Sequence, residues 1–177
     1  SHFIGLSMGG MVGQQLALSD PARLGKLVLC STTGSFAANR EGITRLWEQR
    51  IADVTAGGME AVAEATLARW YTEPFRCTET ELMARQRAMI GRTSLAGYAA
   101  CGRMVAGFDL LSQLGQITAP TLVMVGEDDA GTPPAVAAEL ARAITGARLE
   151  VFPQASHCLN LEQAQLFNLM VSAFISR

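Results

Sequence analysis

Residues 1–18 read SHFIGLSMGGMVGQQLAL. A short apolar run, Phe3 to Leu6, leads into Ser7, with Gly5 two residues before it and Gly9 two residues after. The pattern then changes. Met11, Val12, Gln15, Leu16 and Ala17 recur at helical intervals, so the spacing predicts a helix over 8–18. Asp20-Pro21 closes it, because the residue before a proline is pushed out of the helical region. Ser7 therefore stands at a turn between a strand and a helix.

That placement matters because a serine hydroxyl is a poor nucleophile at neutral pH. It needs a base to take its proton and a geometry that exposes its oxygen. Gly5-Leu6-Ser7-Met8-Gly9 matches G-x-S-x-G, the nucleophile elbow. The sharp turn is expected to strain the backbone at Ser7, with Gly5 and Gly9 presenting no side chain to clash across it. The turn also aims the first helix amides at a reacting oxygen, which makes the amide of Met8 a candidate oxyanion donor.

The rest of the chain alternates strands and helices around one long interruption. "KLVLCS" at 26–31, "PTLVMVG" at 120–126 and "ARLEVFP" at 147–153 read as strands. "PPAVAAELARAITG" at 133–146 reads as a helix, with prolines suited to its first turn and Gly146 to its C-terminal cap. The stretch 160–177 reads as an amphipathic helix burying Leu166, Phe167, Met170, Val171, Phe174 and Ile175. Continuous apolar strands joined by helices predict an α/β fold with a parallel sheet covered on both faces.

Between the second and third strands, 34–117 shows no strand alternation. Helices are expected over 41–56, 59–71, 78–92 and 94–106, with Thr78-x-x-Glu81 as a capping box. This interval reads as a helical cap over the sheet edge. The expected division is therefore a core of 1–33 and 118–177 and a cap of 34–117.

Two further stretches bear on the chemistry of Ser7. Gly126-Glu127-Asp128-Asp129 follows the third strand, and acidic residues at the carboxyl end of a parallel strand sit where active sites form. Either Asp128 or Asp129 could orient a histidine, while the other caps the next helix. "PQASHCLNLEQ" follows the last strand and carries His157. His2, before the first strand, is read as structural. The chain order Ser, Asp, His is the one expected when a nucleophile elbow of this kind opens a parallel α/β sheet.

Bulk properties exclude other classes. The 177 residues carry a formal net charge of −2 with no basic patch, which argues against nucleic acid as a partner. No apolar run approaches a membrane span and no leader pattern opens the chain, so cytoplasmic is the default. Cys30, Cys77, Cys101 and Cys158 show no metal or redox spacing and are expected to be buried, reduced thiols. No metal or cofactor is expected.

With these motifs in place, the sequence resembles the α/β-hydrolase fold family. "FIGLSMGG", "PTLVMVGEDDAGTPP" and "ASHCLNLEQAQLFN" are its three landmarks in order. Within the family it is most similar to the 3-oxoadipate enol-lactonases, through "RIADVTAGGMEAVAEATLARWYTEPF" and "SLAGYAACGRMVAGFDLLSQLGQITAPTLVMVGEDD". The resemblance implies Ser7 as nucleophile and His157 as general base and then acid. The family pattern G-x-x-D-x-x-x-P selects Asp129 as the acid. Trp70 matches an aromatic position that lines the lactonase pocket, or else joins cap helices. Arg69, Arg92 and Arg103 are candidates for holding a substrate carboxylate.

The implied reaction is opening of the enol-lactone ring. A carboxylesterase or carbon–carbon bond hydrolase is the alternative, as is an inactive interaction module. Family members carry several strands before the elbow, and a loop among them supplies the second oxyanion donor. This chain opens inside the elbow strand. The expectation is a half-built oxyanion hole and a bare strand edge at Phe3 to Leu6. A second polypeptide bearing the remaining strands, or self-association through that edge, would complete it. The isolated chain is expected to hydrolyse lactone poorly.

Overall fold

The structure, a computed structural model, describes residues 1–176. The chain divides into two compact units: Ser1–Ser35 together with the chain from Asp109 onward, and Phe36–Phe108.

The first unit is built on a four-stranded parallel sheet in the order β1-β2-β3-β4: Phe3–Leu6, Leu27–Cys30, Thr121–Gly126 and Arg148–Phe152. Helix α1 (Met8–Ser19) follows β1 and ends at Asp20, as the proline behind it requires. β2 and β3 are fully buried, because helices cover both faces of the sheet. The pleat sorts their side chains. Leu27, Leu29, Val123 and Val125 join one core with Leu140 and Ile144. Val28, Cys30, Leu122 and Met124 join another with Phe152, Leu159 and Val171.

Two differences from the sequence reading concern this unit. The terminal stretch is two helices, Leu159–Glu162 and Ala164–Ile175, and Leu166 is exposed rather than buried. Its neighbours Phe167, Met170, Phe174 and Ile175 pack against the sheet, with Val171 buried. In addition, residues 109–117 fold with the sheet, not with the helices. A 3₁₀ stretch, Leu111–Gln116, carries Leu114 into the core, and the Leu110 amide donates to the Gly34 carbonyl at 2.8 Å.

The second unit holds five helices among the described residues: α2 (Arg40–Gly57), α3 (Ala63–Trp70), α4 (Glu73–Thr78), α5 (Thr80–Gly91) and α6 (Leu95–Gly107). Completing the chain order, α7 is Pro134–Ala143, α8 is Leu159–Glu162 and α9 is Ala164–Ile175. Helices α2 and α6 approach closely at Gly102, where a Cβ would lie 2.5 Å from the Trp47 ring. Ser94 caps α6 by accepting the Gly97 amide at 3.3 Å. Thr78 caps nothing. It ends α4, and its hydroxyl donates back to the Pro74 carbonyl, which breaks the expected capping box. Pro74 opens that short helix instead of interrupting one, since a first-turn proline loses no helical hydrogen bond.

Candidate active site

All four strands are parallel, so the loops after β1, β3 and β4 leave the sheet at one edge. Those loops carry Ser7, Asp129 and His157.

Ser7 adopts φ 54° and ψ −118°, a conformation that strains any residue with a Cβ. The turn holds it there with backbone bonds on both sides. Its amide donates to the Cys30 carbonyl at 2.8 Å, and its carbonyl accepts the Gly10 amide at 2.9 Å, the Met11 amide at 3.2 Å and the Thr32 hydroxyl at 2.8 Å. The Ser7 side chain makes no capping bond to α1, so its hydroxyl is not spent on the helix. Met8 is the first residue of α1, and its amide belongs to the unpaired set at a helix start. That set can hold a developing oxyanion.

The glycines divide differently from expectation. A Cβ at Gly5 would lie 2.3 Å from the Gly9 carbonyl oxygen, so strand and helix cross there with no room for a side chain. Gly9 itself faces open space, with nothing within 4 Å of a Cβ. It is the Gly9 backbone that must be approached, not its missing side chain. Gly10 is the second tight position, 2.6 Å from the Thr32 methyl.

The carboxylate that meets the histidine belongs to Asp129: its Oδ2 lies 2.9 Å from His157 Nδ1. Asp128 is exposed and contributes only its backbone, whose amide donates to the Ala155 carbonyl at 2.9 Å. Asp129 is 1% exposed, and every bond its carboxylate makes is to a donor. Oδ1 accepts the Gly131 amide at 2.9 Å and the Thr132 amide at 3.0 Å, and Oδ2 accepts the Thr132 hydroxyl at 2.8 Å. Burial is the largest single influence on its carboxyl and pushes the pKa up. The His157 hydrogen bond and charge, with the Thr132 amide and hydroxyl, together outweigh burial and hold it below the ordinary aspartate value. An ionised Asp129 accepts only, so Nδ1 carries the imidazole proton and Nε2 is left to a reacting group. No hydrogen bond joins the Ser7 hydroxyl to His157 among the described residues. Such bonds are commonly long without ligand and tighten when one binds.

The remaining candidates fall elsewhere. His2 is exposed, against Gly25 at the start of β1. Trp70 is half-buried at the end of α3. Arg69 donates to the Ala65 carbonyl at 3.1 Å and to the Thr66 hydroxyl at 3.2 Å, and Arg92 is exposed at the end of α5. Arg103 lines a cleft of ≈570 Å³ between α2 and α6 with Arg40 and Trp47. The Trp47 ring packs tilted against Tyr98, with centroids 5.7 Å apart, and lies under the Arg50 guanidinium at 5.0 Å. None of the four cysteines forms a disulfide, but Cys77 and Cys101 are exposed rather than buried. Burial pushes the Cys30 thiol up to about 12, which makes it inert. The described residues hold no cluster of histidine, cysteine and acidic side chains that could bind a metal ion, and no helix long and apolar enough to cross a membrane.

Thr32 and Thr132 were not singled out from sequence. Thr132 had a local signal, since a threonine three residues after an aspartate commonly closes a turn on it. Thr32 had none, because its partner lies 25 residues away.

The chain is similar to known proteins over nearly its whole length. The chain is 34% identical over 175 residues to 3-oxoadipate enol-lactonase 2 of Acinetobacter baylyi, covering 99% of this chain and 63% of that protein. It is 30% identical over 185 residues to the 2-hydroxy-6-oxononadienedioate/2-hydroxy-6-oxononatrienedioate hydrolase of Paraburkholderia xenovorans, covering 99% of this chain and 62% of the relative. The crystal structure of the enol-lactonase from Burkholderia xenovorans superposes with a TM-score of 0.93 at 34% identity, over 100% of this chain and 66% of that one. The chain thus spans slightly less than two thirds of the length of these relatives. The profile of the alpha/beta hydrolase family matches residues 1–168. A strained serine at the first turn, an acid after the third strand and a histidine after the fourth agree with that match, and the chain belongs to the alpha/beta hydrolase family.

Proposed function

We propose that the chain carries the nucleophile, base and acid of a serine hydrolase that opens the lactone ring of 3-oxoadipate enol-lactone. The observation behind this reading is that the strained, uncapped Ser7 leaves the same sheet edge as the buried Asp129–His157 couple. The similarity to two enol-lactonases supports the substrate.

In this reading His157 Nε2 takes the Ser7 proton as Oγ attacks the ring carbonyl. Asp129 holds the imidazole in the Nδ1–H tautomer and stabilises the imidazolium that forms. The Met8 amide donates to the oxyanion. Collapse breaks the bond to the ring oxygen, which leaves as an enol and receives the proton from His157. Water, activated by the same histidine, then cleaves the acyl-enzyme. The enol tautomerises to the ketone of 3-oxoadipate.

Cleavage of a carbon–carbon bond is the second reading, favoured by the similarity to a dienedioate hydrolase. Turnover of the enol-lactone, of short p-nitrophenyl esters and of a 2-hydroxy-6-oxo dienoate by the purified protein separates the readings. Lactone turnover above the other two, lost in Ser7→Ala, is the expected result. Ester cleavage without lactone cleavage removes the substrate assignment and leaves an esterase. Dienoate cleavage alone selects the second reading.

A further inference from the structure

Resting on the reading of His157 as the base, we propose that Glu162 is a positioning residue for it, acting through the backbone of the loop between β4 and α8. Ser156, which precedes His157, is 5% exposed, and its amide donates to Glu162 Oε2 at 2.6 Å. A buried amide must find an acceptor. Here the acceptor is a carboxylate, which makes the bond short and strong. Glu162 ends α8, six residues on, so the helix that follows the histidine reaches back to clamp the residue before it.

The far side of the loop is fixed by close contact. A Cβ at Gly126 would lie 2.2 Å from the Ser156 carbonyl oxygen, so the end of β3 presses directly on this backbone. The Ser156 hydroxyl also donates to the Asp128 carbonyl, at 3.3 Å. Asp129 then fixes the imidazole at Nδ1. The ring is thus held at Nδ1 by Asp129, and its backbone root is held by Glu162 through the Ser156 amide, and neither contact uses Nε2. Losing the root contact lets the loop shift while the ring follows Asp129. That would misplace Nε2 against Ser7 without touching substrate.

The test compares Glu162→Ala with Glu162→Gln, whose amide oxygen still accepts a hydrogen bond. In Glu162→Ala, kcat should fall by roughly 10- to 100-fold with KM little changed, the scale of a nucleophile–base misalignment near 1 Å. Glu162→Gln should recover most of the loss. The Nδ1–H proton resonance of His157, shifted downfield by Asp129, should broaden or move in Glu162→Ala and return in Glu162→Gln. In the unmodified protein the Ser156 amide should be protected from hydrogen exchange. The resonance and the exchange measurements need no turnover, so they decide this inference even if the hydrolase reading fails. An unmoved resonance and unchanged kcat in a folded Glu162→Ala would overturn it. So would a Glu162→Gln no better than Glu162→Ala, or rapid exchange at Ser156 should the alanine variant not fold.

Discussion

Asp129 Oδ2 and His157 Nδ1 lie 2.9 Å apart, and the carboxylate behind that contact is filled by three further donors from Gly131 and Thr132. Every acceptor site on Asp129 is therefore matched, and the aspartate is held in one orientation. Replacement by asparagine keeps the shape but reverses part of the polarity. The new amide would repel the Nδ1–H tautomer and favour its opposite, which presents a proton to Ser7 instead of a lone pair. Asp129→Asn should lower kcat by roughly 10⁴-fold, the effect of the wrong tautomer in a serine–histidine–aspartate site. Steady-state kinetics on the preferred substrate check it, and a variant within tenfold of the parent would remove Asp129 from the mechanism.

The same aspartate sets a pH dependence of stability. Its folded-state pKa is depressed, while in the unfolded chain it returns to about 3.9. Between those two values the unfolded state binds more protons, so stability rises with pH there. The contribution is complete above the unfolded pKa and is lost as pH falls through the folded one. Urea unfolding of the parent and of Asp129→Asn, followed from about pH 6 downward, should show the parent's advantage shrinking in acid. A difference that grows as pH falls would contradict the sign.

Ser7 carries backbone strain, and strain is measurable. A serine at φ 54° and ψ −118° costs on the order of 1–3 kcal/mol, which glycine does not bear. Glycine gives back about 0.5–1 kcal/mol through the entropy of its unfolded state. Ser7→Gly should therefore raise the unfolding free energy by about 1 kcal/mol while abolishing hydrolysis. Denaturant titration reads the first and the substrate assay the second. Loss of stability in Ser7→Gly would mean that the hydroxyl holds the turn together.

Local pattern carried most of this architecture. The apolar runs at Phe3–Leu6, Leu27–Cys30 and Thr121–Gly126 are short, continuous and followed by helical spacing, and each is a strand. What failed turned on competing contacts and helix breaks that residue type and spacing do not reveal. Thr78 has the right residue type for a cap, but its hydroxyl found the Pro74 carbonyl one turn back. Leu166 fits the apolar stripe of the last helix. That helix breaks at Gln163, which turns Leu166 away from the sheet. At the site, Ser7 and His157 were legible from motif and order. The Thr32 and Glu162 contacts were not, because nothing local marks a hydroxyl or carboxylate that serves another segment's backbone.

The two glycines of the G-x-S-x-G stretch should respond oppositely to alanine. At Gly5 a methyl group would sit 2.3 Å from the Gly9 carbonyl oxygen and 2.6 Å from the Gly10 amide, all backbone and none of it able to swing aside. Strand and helix would have to separate, a displacement costing about 1–3 kcal/mol or more. The elbow would move with them. At Gly9 a methyl group meets nothing within 4 Å, and the residue lies in the first turn of α1. Alanine there gains up to about 1 kcal/mol of helix propensity over glycine. Gly5→Ala should therefore destabilise and inactivate, while Gly9→Ala should be neutral or stabilising and keep the Ser7 geometry. Thermal unfolding of both variants, with labelling of Ser7 by a fluorophosphonate, reads stability and elbow integrity separately. If Gly9→Ala folds yet no longer labels, Gly9 serves the approach of a reactant to Ser7, not the packing of the turn. If Gly5→Ala proves as stable as the parent, the close strand–helix crossing described above is wrong.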